Sequence, residues 1–129
     1  MSVIHKGNFD SQIFEDRTFI DEHLFKASFQ KCTFRNCRFQ ACYLVSASFR
    51  GAQFEGCEFT GSNLLSSDFT DARLLNVRFS RCKLVRTTWS GAILSGVTTD
   101  TCRGADDLEK AFRQPVTAQL VEENKNGDC

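Results

Sequence analysis

One proline, one methionine, one tryptophan and one tyrosine occur in 129 residues, and histidine occurs only twice. Two imidazoles, His5 and His23, leave little material for acid–base or metal chemistry. No apolar run approaches the roughly 18 residues that a membrane-spanning helix needs. The opening decapeptide MSVIHKGNFD also lacks the apolar segment of an export signal. Neither sign of charge is in excess, because 16 Lys plus Arg balance 16 Asp plus Glu. A polyanion binder held by bulk charge and a polyanion mimic are both disfavoured. No CxxC pair occurs among the seven cysteines, so zinc and redox sites are not indicated. Cys32, Cys37, Cys42, Cys57, Cys82 and Cys102 read as reduced, buried small residues of a cytosolic protein, and Cys129 as the one reactive thiol.

What is abundant is phenylalanine, with 13 residues, and its spacing organises the chain. Phe9, Phe14, Phe19, Phe29, Phe34, Phe39, Phe49, Phe54, Phe59, Phe69 and Phe79 share one phase of a five-residue period. Leu24, Leu44, Leu64, Leu74, Leu84, Trp89 and Leu94 fill its gaps, so every fifth residue from 9 to 94 is large and apolar. Two residues before most of these centres stands a small side chain, such as Ala27, Cys32, Ala47, Ser62, Ala72 or Cys82. Two inward residues flanking one outward residue are the alternation of a short strand, and the remaining two residues turn a corner. Gly51, Gly56, Gly61, Gly91 and Gly96 occupy the second residue after the centre, where a corner often needs positive φ. A helix is excluded, since a period of five advances about 500° at 100° per residue and smears the rings round the cylinder.

A longer period overlies the short one. Centres 24, 44, 64 and 84 are all Leu, which predicts four sides per coil. Residues twenty apart should then stack at about 4.8 Å. The runs ASFRG (47–51), AQFEG (52–56), CEFTG (57–61), SDFTD (67–71) and ARLLN (72–76) resemble the pentapeptide repeat, and the match extends from about Gly7 to Val97. That resemblance implies a right-handed, four-sided parallel β-helix. With the residue pattern it gives the expected architecture: an all-β solenoid of about 4 to 5 coils over residues 1–102, and a partly helical cap or tail over 103–129 with a frayed end.

The ends differ from the body. Asp10, Glu15, Asp16, Asp21 and Glu22 face a single Arg17 in the first coil, an excess that should repel a second acidic end. After Thr99 the repeat fails. Asp106 with Glu109 reads as a capping box for a short helix carrying Leu108, Ala111 and Phe112, which Pro115 stops, and Val116, Leu120 and Val121 form a second apolar set. Leu108, Phe112 and Leu120 are therefore candidate contacts, either for a lid over Leu94 and Val97 or for a homodimer.

No catalytic, cofactor or metal site is expected, because a convex rod filled with aromatic rings offers no cleft where nucleophile, base and orienter could converge. Two surface features remain. On the side with the Leu centres the outward column reads Phe25, Val45, Leu65 and Val85, with Tyr43 beside it, an apolar ladder that predicts a covering tail, a partner or self-association. Arg73, Arg78, Arg81, Lys83 and Arg86 fall within one coil's length without a carboxylate among them, and are candidates for contact with an acidic partner. Direct nucleic-acid binding is not expected, since no exposed aromatics interleave with those cations.

The function expected is that of a non-enzymatic protein-binding solenoid. Phe-centred, Cys-containing repeats resemble bacterial proteins of this family that bind DNA gyrase or topoisomerase IV through an acidic, duplex-like surface. That resemblance implies resistance to quinolones or other gyrase poisons and a homodimer joined through the C-terminal tail or the apolar face, in a chain already expected to be cytoplasmic. The alternative is a protein-interaction scaffold, effector or immunity module that uses the apolar face.

Overall fold

The computed structural model describes residues 7–112. Ten three-residue strands form the trunk: β1 (Ile13–Glu15), β2 (Thr18–Ile20), β3 (Thr33–Arg35), β4 (Arg38–Gln40), β5 (Gln53–Glu55), β6 (Glu58–Thr60), β7 (Arg73–Leu75), β8 (Arg78–Ser80), β9 (Ile93–Ser95) and β10 (Thr98–Asp100), followed by α1 (Asp106–Phe112). Odd-numbered strands make one parallel five-stranded sheet and even-numbered strands another. Every paired residue is offset by twenty, as in Phe34↔Phe54 and Phe59↔Phe79. Two further walls are held by isolated parallel bridges with the same offset, along Asn8, Ser28, Ser48, Asp68 and Thr88 and along His23, Tyr43, Asn63, Lys83 and Arg103. The trunk is thus a β-solenoid with four walls and twenty residues per turn, as the spacing predicts.

Aromatic size explains why three walls carry Phe and the fourth carries Leu. On the first wall Phe9, Phe29, Phe49, Phe69 and Trp89 stack with centroids 4.9, 5.2, 5.0 and 4.3 Å apart. Phe19, Phe39, Phe59 and Phe79 stack on the third at 4.8, 4.6 and 4.9 Å. Rings on different walls meet edge-on or tilted, as in Phe39 and Phe49 at 84°. Three rings fill each of the first three layers, so the fourth side takes the smaller Leu44 and Leu64, both 0% exposed; in the fourth layer Leu74 and Leu84 accompany two rings, Phe69 and Phe79.

Corners turn through a left-handed residue. All nineteen positions from 11 to 101 in steps of five have φ between 53° and 71°, and only five of them are glycine. Ala41 sits there without the local side-chain hydrogen bonds that make Asn and Asp tolerant of this region, and Thr101 is β-branched, so both carry backbone strain. The solenoid's inter-coil hydrogen bonds, such as Ala41 N–H to Thr60 O at 2.9 Å, hold them in place.

Two kinds of corner account for the cysteines. After the first and fourth walls the centre carbonyl accepts the i+3 amide, as from Ala52 to Phe49 and from Ala47 to Leu44. After the second and third walls no such turn bond forms, and a side chain of the next coil reaches the carbonyl instead. Cys37 Sγ lies 3.3 Å from Phe14 O, Cys57 Sγ 3.4 Å from Phe34 O, Cys42 Sγ 3.2 Å from Phe19 O and Cys82 Sγ 3.3 Å from Phe59 O. Ser62 Oγ makes the same contact to Phe39 O at 3.2 Å. Ala52, Ala72 and Ala92 stand where the backbone already closes the turn. Packing of small residues is therefore only part of the reason for cysteine; its thiol adds a hydrogen bond at a corner where the buried Val77, one coil above Cys57, only fills space. Replacing Cys82 by Ser should preserve the contact seen one coil below at Ser62, whereas Cys82→Ala should leave the protein about 1–2 kcal/mol less stable than the serine variant. Equal melting temperatures for the two variants would show that the thiols only fill space.

At the far end α1 closes the last coil. Leu108 is 0% and Ala111 4% exposed, both within the single core cluster that includes Leu94 and Val97. Leu108 is accordingly a lid residue, and its side chain is not available to a second copy. The expected capping box is not the cap used: Ala105 O accepts the Glu109 amide at 2.9 Å, so Ala105, which has no side-chain acceptor, precedes the helix and Asp106 lies inside its first turn. There Asp106, Asp107 and Glu109 suit the positive end of the helix. His5, Val116, Leu120, Val121, Cys129 and the side chain of Phe112 lie outside the described residues.

Candidate docking surface

Phe25, Val45, Leu65 and Val85 share one column of the fourth wall. Lys26 N–H donates to Val45 O at 3.0 Å, Ser46 N–H to Leu65 O at 2.8 Å and Ser66 N–H to Val85 O at 2.9 Å, which stacks the four residues in successive coils. The column is less open than an outward ladder implies. Val45 is buried at 8% exposure and the other three are half-buried. At about 4.8 Å spacing, side chains as large as Phe and Leu cover the smaller one between them. Tyr43 remains 41% exposed beside the column, its ring 6.2 Å from Phe25 and 6.0 Å from the exposed His23. Lys26 Nζ sits 5.3 Å from the centroid of Phe25.

The five cations singled out from the sequence do not form one patch. Arg73 stands on the second wall, and Arg78 on the third, 3.5 Å from Asp100. Only Arg81, Lys83 and Arg86 flank the fourth wall, because a turn of twenty residues spreads a short cationic run over several sides. Arg103 joins them through its bridge to Lys83; the twenty-residue offset would have revealed it. None of these four takes part in the ion pairs among the described residues, which are Arg35 with Glu15 and Glu55, Arg38 with Glu58, Arg50 with Asp68 and Arg78 with Asp100.

Other apolar exposure lies where the five-residue pattern gives no hint. Ile13 (65%), Ile20 (54%) and Leu75 (41%) point to solvent from the second and third walls. On the second wall an open groove of about 310 Å³ runs over Phe34, Phe54 and Leu74, edged by Arg35, Glu55, Arg73, Leu75 and Ile93. Its charges are partly spent in the exposed Glu15–Arg35–Glu55 ladder, with contacts of 2.8 and 3.5 Å. Between α1 and the first wall a second recess of about 300 Å³ is lined by Thr87, Thr88, Trp89, Ser90, Asp107 and Lys110.

The electrostatics are structural in character. Burial raises the Asp68 carboxyl, but hydrogen bonds from Thr70 Oγ1, Thr70 N–H, Thr88 Oγ1 and Arg50 outweigh it and hold the group below the usual carboxylate range. Asp68 thereby ties three coils of the first wall together. Burial also pushes the thiols up, to about 11 for Cys57 and about 12 for Cys82, which makes them poor nucleophiles and poor metal ligands. No helix of the described residues is long and apolar enough to cross a membrane.

Comparison with known families matches residues 32–103 to the model described as "Pentapeptide repeat region". No curated protein matches the chain. Among solved structures, a pentapeptide repeat protein of the Arabidopsis thaliana thylakoid lumen superposes with a TM-score of 0.66 at 15% identity, covering 72% of this chain and 65% of that one. HetL, a pentapeptide repeat protein involved in heterocyst differentiation regulation in the cyanobacterium Nostoc, gives 0.45 at 18% identity over 70% and 42%. QnrB1, a plasmid-mediated fluoroquinolone resistance protein, gives 0.44 at 19% identity over 76% and 44%. The chain spans less than two thirds of the length of each of these three proteins.

Proposed function

We propose, from the premise that this chain belongs to the pentapeptide repeat family, that it is a non-enzymatic rod which docks a protein partner on its fourth wall. Members of the family are generally structural or interaction proteins, and the trunk offers its outward columns as a variable display surface on a filled core. One observation carries the reading: on a single wall, the column Phe25–Val45–Leu65–Val85 runs beside the exposed Tyr43 and ends among Arg81, Lys83, Arg86 and Arg103, cations left out of the ion pairs. An apolar centre with a charged rim is the composition of a transient protein interface.

DNA gyrase or topoisomerase IV is the second reading, favoured by the Phe-centred, Cys-containing repeats. Against an acidic, duplex-like surface stands the charge of residues 1–102, where ten acidic residues meet twelve basic ones. The two readings separate in one comparison. Purified protein added to a gyrase supercoiling reaction, with and without a quinolone, should leave both the rate and the drug inhibition unchanged. A photo-crosslinker at position 65 should capture a discrete protein in cells, whereas one at Thr60 on the third wall should not. Leu65→Asp should lower the affinity for the captured partner by ten-fold or more, on the order of 1.4 kcal/mol or above, with the melting temperature retained. Rescue of gyrase from the drug would reverse the order of the two readings.

A further inference from the structure

We propose that the segment following α1, residues 113–121, lies down the second wall in the groove over Leu74 and Phe54, with Val116, Ala118 and Leu120 turned towards Ile93, Leu75 and the groove floor. The inference concerns a different wall from the docking surface and does not depend on it.

The path of the lid brings the chain to that wall. A Cβ on Gly104 would meet the backbone of Val85 at 2.8 and 2.9 Å, so the chain enters α1 from directly above the fourth wall. Asp107, Lys110 and Ala111 then border Thr87, Thr88, Trp89 and Ser90, which places α1 over the first wall, the next one in the order of the coil. Seven helical residues cover about 10 Å, close to one wall's width, so α1 ends near the corner at Gly91.

Two walls meet at that corner, and only one of them is apolar. The first shows Thr88, Ser90, Asp68 and Thr70, with Thr70 Oγ1 and Thr88 Oγ1 both donating to Asp68. The second shows the half-buried Ile93 in its last coil and Leu75, 41% exposed, one coil below, both edging the groove of about 310 Å³. To reach the apolar column of the fourth wall the chain would have to double back across the lid and pass Arg103 and Lys83.

The segment has the matching pattern. Its sequence is RQPVTAQLVEE over 113–123, and Pro115 turns Gln114 towards extended backbone and prevents α1 from continuing. Beyond it Val116, Ala118 and Leu120 stand at every second position, which an extended chain puts on one face. Val116 to Leu120 then spans about 14 Å, and so do the three coil-to-coil steps of about 4.8 Å from Ile93 to Thr33 that the groove follows. A helix would also bring Val116 and Leu120 together, but at about 10 Å across it is too wide to sit between outward columns only about 7 Å apart. Charge neither drives nor opposes the contact. Arg35 and Arg73 offset Glu15 and Glu55 around the groove, and the segment itself carries Arg113 against Glu122 and Glu123, so added salt should change little. Covered in this way, the second wall is closed to partners, and the fourth is left as the apolar face that can take one.

A photo-crosslinker at position 75 of the full chain tests the placement. Irradiation should join it to the tryptic stretch 114–125, and a crosslinker at position 120 should in turn mark 74–78 or 87–103. In a mixture of isotopically light and heavy protein these adducts should stay within one molecule. A crosslinker at Thr60 on the third wall should give no such product. Leu120→Asp should lower the yield from position 75 by about ten-fold or more, with far-UV circular dichroism unchanged. The proposal is overturned by adducts that mix the isotopes, which would put another copy's segment in the groove, by an equal yield from position 60, or by no adduct from either 75 or 120. None of these results bears on capture of a partner at position 65, so the two ideas fail separately.

Discussion

Phe49→Ala should destabilise the protein by about 4 kcal/mol or more, the largest loss expected from a single side-chain truncation in the trunk. Phe49 is 0% exposed and meets six other rings: it stacks on Phe29 and Phe69 at 5.2 and 5.0 Å and touches Phe34, Phe39, Phe54 and Phe59 at 5.5 to 6.5 Å. Truncation opens a ring-sized void between layers whose backbones are locked by inter-coil hydrogen bonds at 2.7 to 3.1 Å, so the walls cannot close on it. In a domain of about 100 residues the loss corresponds to a fall of roughly 15–30 °C in melting temperature. Phe9, half-buried with a stacking partner on one side only, provides the comparison, and Phe9→Ala should cost about half as much. If calorimetry finds the two variants equally destabilised, stacking along the column adds nothing to simple burial.

Alkaline pH should destabilise the protein progressively from about pH 9 upwards. Burial holds the thiols of Cys57 and Cys82 at about 11 and about 12, from an ordinary value near 9.0, and raises those of Cys32 and Cys42 as well. Below pH 9 these thiols are protonated in both states and cost nothing. Between about pH 9 and pH 11–12 the unfolded chain releases protons that the folded one retains, so stability falls by up to about 1.4 kcal/mol per pH unit for each such thiol. Above pH 12 the loss is complete. Together Cys57 and Cys82 account for several kcal/mol, a large part of the stability of a domain this size. Melting temperature plotted against pH should drop steeply from pH 9, and the combined Cys57→Ala, Cys82→Ser variant should follow a visibly shallower line. Parallel lines for the two proteins would refute the mechanism. At neutral pH the same burial should leave the five buried cysteines unreactive towards a thiol reagent until the chain unfolds.

Much of the architecture is legible in the residue spacing because the interior repeats. Every inward position of a parallel solenoid meets its own kind one turn later, so Phe34 above Phe14 and Leu64 above Leu44 are the same packing problem solved repeatedly. The twenty-residue offset follows from four Leu centres, and the strand registers agree with it throughout. The column Phe25–Val45–Leu65–Val85 is legible for the same reason. Its burial is not, because how far Phe25 and Leu65 shade Val45 depends on side-chain size in three dimensions.

Surface chemistry is where linear proximity misleads. Arg73, Arg78, Arg81, Lys83 and Arg86 look like one cluster in the chain, yet the corners send them to three walls, while Arg103, seventeen residues beyond Arg86, comes to lie over Lys83. The role of cysteine was equally hidden. A small residue is all the five-residue pattern asks for at 37, 57 and 82; the unbonded corner carbonyl that makes a donor useful there exists only once the coils are stacked.

The sequence by itself determined the period, the four walls, the inward set and the place where the coil must end, since those depend on hydrophobic spacing that any chain of this pattern must bury. Only the tertiary structure decided which outward residues become neighbours, which corner carbonyls are open to a side-chain donor and how Leu108 is spent as a lid. These depend on distances between coils, and a residue's nearest neighbours in a solenoid are twenty positions away rather than one.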